Sequence, residues 1–175
     1  MKLIVAPLHE VAELATRHRP SHLISLASPG HIDAPLTDAP PHRLDLRFND
    51  IAEPRAGLTP PAEADVVAML AFAASWDGAR PLLIHCWAGV SRSTAAAYVI
   101  ACARSKPGQE TGWAERLRAA APTATPNPLI VSLVDRLLMR DGAMSRAIAA
   151  IGRGAETAWG EAFELDLSSQ GAASL

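Results

Sequence analysis

With 175 residues, 49% of them hydrophobic, and a net charge of −2, the chain can bury a full core and is expected to form one domain. That charge gives no electrostatic basis for binding nucleic acid or a membrane surface, and no apolar run approaches the length of a membrane span. The two cysteines, Cys86 and Cys102, form neither a C-x-x-C pair nor a zinc-ligand spacing, so no disulfide framework, metal or other cofactor is expected.

The apolar part of Met1 to Pro7 is too short for a signal peptide, and a cytoplasmic protein is expected. Leu3 to Ala6 predicts a strand ended by Pro7. Val11, Leu14 and Ala15 at helical spacing predict a helix over His9 to His18. His22 to Ala27 predicts a second strand, stopped by Ser28-Pro29-Gly30, so the first elements suggest a parallel βαβ unit. Residues 29–42 are rich in Pro, Asp and His and predict a surface loop in which His31 and His42 are solvated rather than metal ligands.

Arg43 to Phe48 alternates polar and apolar, a half-buried strand with Leu44, Leu46 and Phe48 on one side. Asn49-Asp50 then leaves into a loop containing Glu53. Thr59-Pro60-Pro61 predicts a helix start with Thr59 as N-cap, and Val66, Met69, Leu70, Ala73 and Trp76 mark its buried stripe. Asp77-Gly78 closes that helix and leads to the stretch that organises the chain.

That stretch is Pro81 to Thr94. Leu82 to Ile84 predicts a buried strand that stops at His85-Cys86. Residues 87–91 predict a tight loop, and a helix begins near Ser91 or Arg92. A loop feeding a helix N-terminus turns backbone N–H groups inward and adds partial positive charge, a cradle suited to phosphate. Amides, helix end and Arg92 all favour the thiolate of Cys86, the nucleophilic form. Arg92 offers a planar fork for two phosphate oxygens. Gly89 can adopt positive φ and leaves room for a ligand. Ser93 is near enough to hydrogen-bond the sulfur when it departs. These parts describe phosphoryl transfer through a phosphocysteine. The bland alternative, a buried cysteine with an arginine pairing an acidic neighbour, requires neither the glycine nor the flanking strand and helix.

His85-Cys86-Trp87-Ala88-Gly89-Val90-Ser91-Arg92-Ser93 resembles the HC-x5-R-[ST] loop of cysteine-based protein tyrosine phosphatases, in particular small bacterial dual-specificity-like members. The resemblance implies an α/β fold with a central, mostly parallel sheet flanked by helices. It implies a nucleophile at Cys86, a phosphate-binding arginine at Arg92, a leaving-group hydroxyl at Ser93 and an orienting histidine at His85. Trp87, Ala88, Gly89, Val90 and Ser91 complete the phosphate loop. In such enzymes an aspartate on a loop after a strand protonates the departing oxygen and then activates water. Asp50 matches by type and order, ahead of Asp45, Asp65 and the fallback Glu53, while the Trp-Pro-Asp loop of larger tyrosine phosphatases is absent. Trp87 either shapes the pocket rim or packs beneath the loop, and packing is the expectation.

Beyond the loop helix, where Cys102 reads as a small buried hydrophobe, Thr111 to Ala121 and Leu129 to Met139 predict two more helices. The boundary of the domain falls near residue 151, and residues 152–175 read as a frayed or tethered terminus. The expected partner is a phosphorylated protein or a small phosphomonoester. The absence of lysine inside the loop disfavours a polyphosphorylated lipid headgroup, and nothing in the pattern reads on oligomeric state. The rivals are a rhodanese-like sulfurtransferase, whose loops seldom continue Ala-Gly-x-x-Arg-Ser, and a phosphate-reading module without turnover, which usually lacks the Cys or the Arg.

Overall fold

Leu82–Cys86 (β4) is buried along its whole length, as an apolar strand must be when both faces of its sheet are covered. The computed structural model describes residues 1–32 and 36–168. In it β4 lies at the centre of a five-stranded sheet, with Lys2–Pro7 (β1) on one side and His22–Ala27 (β2) on the other. His42–Arg47 (β3) flanks β2, and Phe163–Asp166 (β5) flanks β1. The strand order is β3-β2-β4-β1-β5. All neighbours are parallel except β5, which runs antiparallel to β1 in the register Leu3↔Leu165. The expected mostly parallel α/β sheet is therefore present. In both helix-bearing crossovers the returning strand skips a position: β1 and β2 have β4 between them, and β3 and β4 have β2 between them.

Alternation along the strands divides the core between two layers. Ile4, Ala6, Leu23 and Leu83 face Val11–His18 (α1), which follows a 3-10 turn at Leu8–Glu10. Leu3, Val5, Ile24, Leu26, Leu82 and Ile84 face the opposite layer. That layer holds Glu63–Ser75 (α2), Arg92–Ala103 (α3), Glu110–Ala120 (α4), Pro128–Leu137 (α5) and Ala143–Ile151 (α6). α3 is buried from Arg92 to Cys102, and its run of alanines lets neighbouring elements close in around it. Among the described residues no helix is long and apolar enough to cross a membrane.

Several details differ from the sequence expectation. Ala62, not Thr59, is the N-cap of α2, and Asp65 reaches back to accept the Ala62 N–H at 2.8 Å. Thr59 instead closes the loop after β3. Its N–H donates to Asn49 Oδ1 (2.8 Å) while Asn49 N–H donates to Thr59 O (2.7 Å). His42 opens β3 rather than lying in the loop, and it is exposed as expected while stacking on His22 with ring centroids 4.6 Å apart. α6 and β5 go beyond the expected elements. α6 is capped from a distance: Asp135, on α5, accepts from Gly142 N (2.7 Å) and Ser145 N (2.8 Å). The terminal segment is tied down through β5, where Phe163 and Leu165 face inward and Glu164 meets Lys2 at 2.8 Å. The remainder of the expected tail, 169–175, lies outside the described residues.

Candidate active site

Cys86 ends β4 and Arg92 begins α3, so residues 87–91 must turn the chain from strand to helix in five positions. The carbonyls of that turn are held outward. Trp87 O accepts from Leu8 N (3.1 Å), Ala88 O from Gly160 N (2.8 Å), Val90 O from Thr125 N (2.9 Å), and Ser91 O from Asn127 N (3.3 Å) and Ala95 N (2.9 Å). A trans peptide is planar, with its N–H opposite its C=O. Tying these four carbonyls outward therefore turns the N–H groups of Ala88, Gly89, Ser91 and Arg92 to the other side, toward the middle of the loop. Gly89 has φ +71°, and a Cβ there would lie 2.7 Å from the Pro7 nitrogen, so only glycine fits.

Cys86 is 2% exposed, and its Sγ lies 3.1 Å from Ser93 Oγ. Arg92 is buried as well. Its Nη1 donates to Phe48 O at 3.1 Å, its Nε makes no hydrogen bond, and Asp50 Oδ2 stands 4.0 Å from that Nε. Cys86, Trp87 and Arg92 line a cavity of about 380 Å³ together with Leu26, Ala27 and His31. His85 is buried on β4 and reaches the wall of the same cavity.

Asp50 sits one step away. Its side chain is 37% exposed, and its Oδ1 accepts from Ser91 Oγ (2.7 Å) and Asn127 Nδ2 (2.8 Å). It lines a neighbouring hollow of about 750 Å³ with Ser91, Asn127 and Arg153, not the cavity that holds Cys86. Arg92 links the two, in contact with the chain just past β3 and close to Asp50. The other acids are placed differently. Asp45 is paired with Arg43 Nε at 2.8 Å on the exposed face of β3, Asp65 caps α2, and Glu53 is exposed on the loop.

Two residues depart from expectation. Trp87 is 54% exposed, so it stands on the rim rather than beneath the loop. It meets Trp159 (centroids 5.7 Å) and His31 (6.0 Å, edge-on). His31, a half-buried loop residue, thus also forms part of the cavity wall. Asn127 is a site residue that sequence reasoning does not single out. It is buried, its Oδ1 caps α5 by accepting from Leu129 N (3.0 Å) and Ile130 N (3.1 Å), and its Nδ2 holds Asp50. The Asn-Pro pair at 127–128 is a recognisable helix start, which is the signal the sequence offers. Cys102 is buried, and burial pushes its thiol up to about 12, so it is inert beside Cys86.

No protein-family profile and no curated protein matches the sequence. Solved structures do. The crystal structure of DUSP15 superposes with a TM-score of 0.60 at 18% identity, covering 85% of this chain and 89% of that one. Human DUSP28 gives 0.59 at 16% identity over 85% and 94%, and the Yvh1 phosphatase domain from Chaetomium thermophilum gives 0.55 at 18% over 81% and 93%. PTPMT1 in complex with PI(5)P gives 0.54 at 14% identity over 85% and 92%. The chain has the α/β fold of the dual-specificity phosphatases, with Cys86 at the C-terminal end of its central strand.

Proposed function

We propose that the protein is a phosphomonoester hydrolase of the protein-tyrosine and dual-specificity phosphatase type, working through a phosphocysteine. The observation that carries this reading is the outward tethering of the four loop carbonyls, which leaves four N–H groups facing the centre of a loop that begins at Cys86 and ends at Arg92. A trigonal set of phosphoryl oxygens, gathering charge as the bond to sulfur forms, is what such donors stabilise.

In the first step Cys86 Sγ attacks phosphorus, and the bond to the ester oxygen breaks. Arg92 and the loop N–H groups hold the non-bridging oxygens. Asp50 supplies the proton that the departing alcohol or phenol needs. In the second step Asp50 takes a proton from water, the resulting oxygen attacks phosphorus, and the S–P bond breaks to release inorganic phosphate. Ser93 donates to Sγ at the 3.1 Å contact and so eases departure of the thiolate. His85 orients the nucleophile from within β4. Asp50's present bonds to Ser91 and Asn127 place it beside Arg92, and a leaving group entering the mouth brings its ester oxygen toward that carboxylate. The substrate is a phosphorylated protein or a small phosphomonoester. Loop positions 87, 88 and 90 hold Trp, Ala and Val, with no cation for additional phosphates.

The test is turnover of phenyl phosphate by the wild type and by Cys86→Ser. The wild type is expected to release phosphate, and Cys86→Ser to release none while still binding inorganic phosphate. Turnover in Cys86→Ser, or wild-type turnover of thiosulfate with none of phenyl phosphate, contradicts the reading.

A further inference from the structure

Beside the nucleophile's cavity lies a second of equal size, about 380 Å³. Leu8, His31 and His85 line both, so the two are lobes sharing one wall. The chemistry of the lobes is different. The first ends on Cys86 and Arg92, while the second is built chiefly from Val11, Ala12, Leu23, Ile32 and Leu36. The one strongly basic side chain in the second lobe, Arg43, is engaged by Asp45. Large apolar groups stand in water at both mouths: Trp87 at the first and Ile32, 89% exposed, at the second. Single exposed hydrophobes are ordinary, but two bordering a hollow that reaches a buried nucleophile mark a binding surface.

Resting on the phosphatase reading above, we propose that the second lobe is a specificity site, and that the substrate is a phosphopeptide with a bulky apolar side chain next to the phosphorylated residue. The phosphoryl charge is met entirely by the loop. The neighbouring residue enters a lobe that offers it apolar contact and no unpaired cation. A volume of about 380 Å³, near the lower end for ligand pockets, suits one side chain rather than the paired acyl chains of a phospholipid. The charge pattern also argues against a membrane-held substrate. The Lys and Arg side chains lining the two lobes are Arg92, committed to the loop, and Arg43, paired with Asp45, so the lining carries no basic cluster to meet anionic lipid.

The experiment compares kcat/KM for phosphotyrosyl hexapeptides carrying Leu or Ala on either side of the phosphoresidue, with phenyl phosphate as a substrate too small to reach the second lobe. Wild type is expected to prefer Leu at one flanking position by about tenfold, the effect of burying part of that side chain. Ala12→Phe, at an exposed position of α1 that lines the lobe, is expected to bring the ratio close to one and leave phenyl phosphate turnover unchanged. Equal rates for the Leu and Ala peptides in wild type overturn the proposal, as does a preference that survives Ala12→Phe. Faster turnover of a phosphoinositide in mixed vesicles than of any peptide also overturns it. Loss of phenyl phosphate turnover in wild type would instead count against the phosphatase reading. In that event peptide binding tests the lobe on its own. Tighter binding of the Leu peptide by wild type, lost in Ala12→Phe, supports the site, and equal Kd values for the two peptides in wild type overturn it.

Discussion

Asn127 and Asp50 stand 77 positions apart, yet one side-chain amide joins them. Its oxygen satisfies two N–H groups at the start of α5 and its nitrogen holds the carboxylate, so the acid's position is fixed by a helix cap. Removing the acid and removing its support should therefore differ. Asp50→Ala is expected to lower kcat by ~10²–10⁴ with KM nearly constant, because the proton is needed in the transition state and not for binding. Asn127→Ala is expected to give a smaller loss in kcat, together with a lower melting temperature from the lost cap, about 1 kcal/mol. Steady-state kinetics on both variants, with Glu53→Ala and Asp45→Ala beside them, decide the assignment. If Glu53→Ala or Asp45→Ala shows the large loss and Asp50→Ala does not, the acid lies elsewhere than Asp50. At this scale the sequence is informative where the chemistry is contiguous. Cys86, Gly89, Arg92 and Ser93 lie within eight positions and carry their spacing with them. Asn127 is illegible as a site residue because its partner is set by the fold. Trp87 defies its expectation because an aromatic is usually buried, whereas here His31 and Trp159, from distant parts of the chain, give it ring partners on the rim.

At the scale of elements, the segment from Gly152 to Gly160 supports the loop at the Ala88 carbonyl. Arg118 fastens its beginning, donating to Pro122 O and Gly152 O at 2.7 Å each, and Gly154 N donates to Thr125 Oγ1 at 3.1 Å. Gly160 then crosses the loop so closely that a Cβ would lie 3.0 Å from Gly89 O. Gly160→Val is expected to push this crossing outward, lengthen the Gly160 N to Ala88 O bond, and free the Ala88 carbonyl to turn. Since that carbonyl and the Gly89 N–H share one peptide plane, kcat/KM for phenyl phosphate should fall by about tenfold, the scale of one displaced hydrogen-bond donor. Circular dichroism should remain that of a folded protein. Unchanged kinetics in a folded Gly160→Val would show that the crossing does not support the loop. Nothing local announces this role, since Gly and Ala around acids look like a loose terminus. The period of two in Phe163, Leu165 and Leu167 is present in the sequence, but four residues are too few to outweigh that composition. α6 escapes for a different reason. Its N-terminal N–H groups are satisfied by Asp135 on the preceding helix rather than by a cap at its own start.

For the whole molecule, the parallel order of β1 to β4 brings the C-terminal ends of these strands to one edge of the sheet. β4 delivers Cys86 there, β3 delivers the loop bearing Asp50, and α3 starts from the same edge with Arg92. The alternation of strand and helix patterns makes this architecture legible, but not the strand order. Two apparent βαβ units interleave, and the pairing of β4 between β1 and β2 joins strands far apart in the chain, which no local pattern announces. The chemical claim made for that edge is a covalent bond between phosphorus and Cys86. Asp50→Ala turning over 4-nitrophenyl phosphate tests it most directly. The nitrophenolate departs without a proton, so the first step survives, while hydrolysis of the intermediate lacks its base and slows. After rapid acid quench and proteolysis, mass spectrometry should find phosphate on the peptide containing Cys86, with a burst of nitrophenol close to one per protein molecule. Release of nitrophenol with no burst and with Cys86 unmodified would contradict the account.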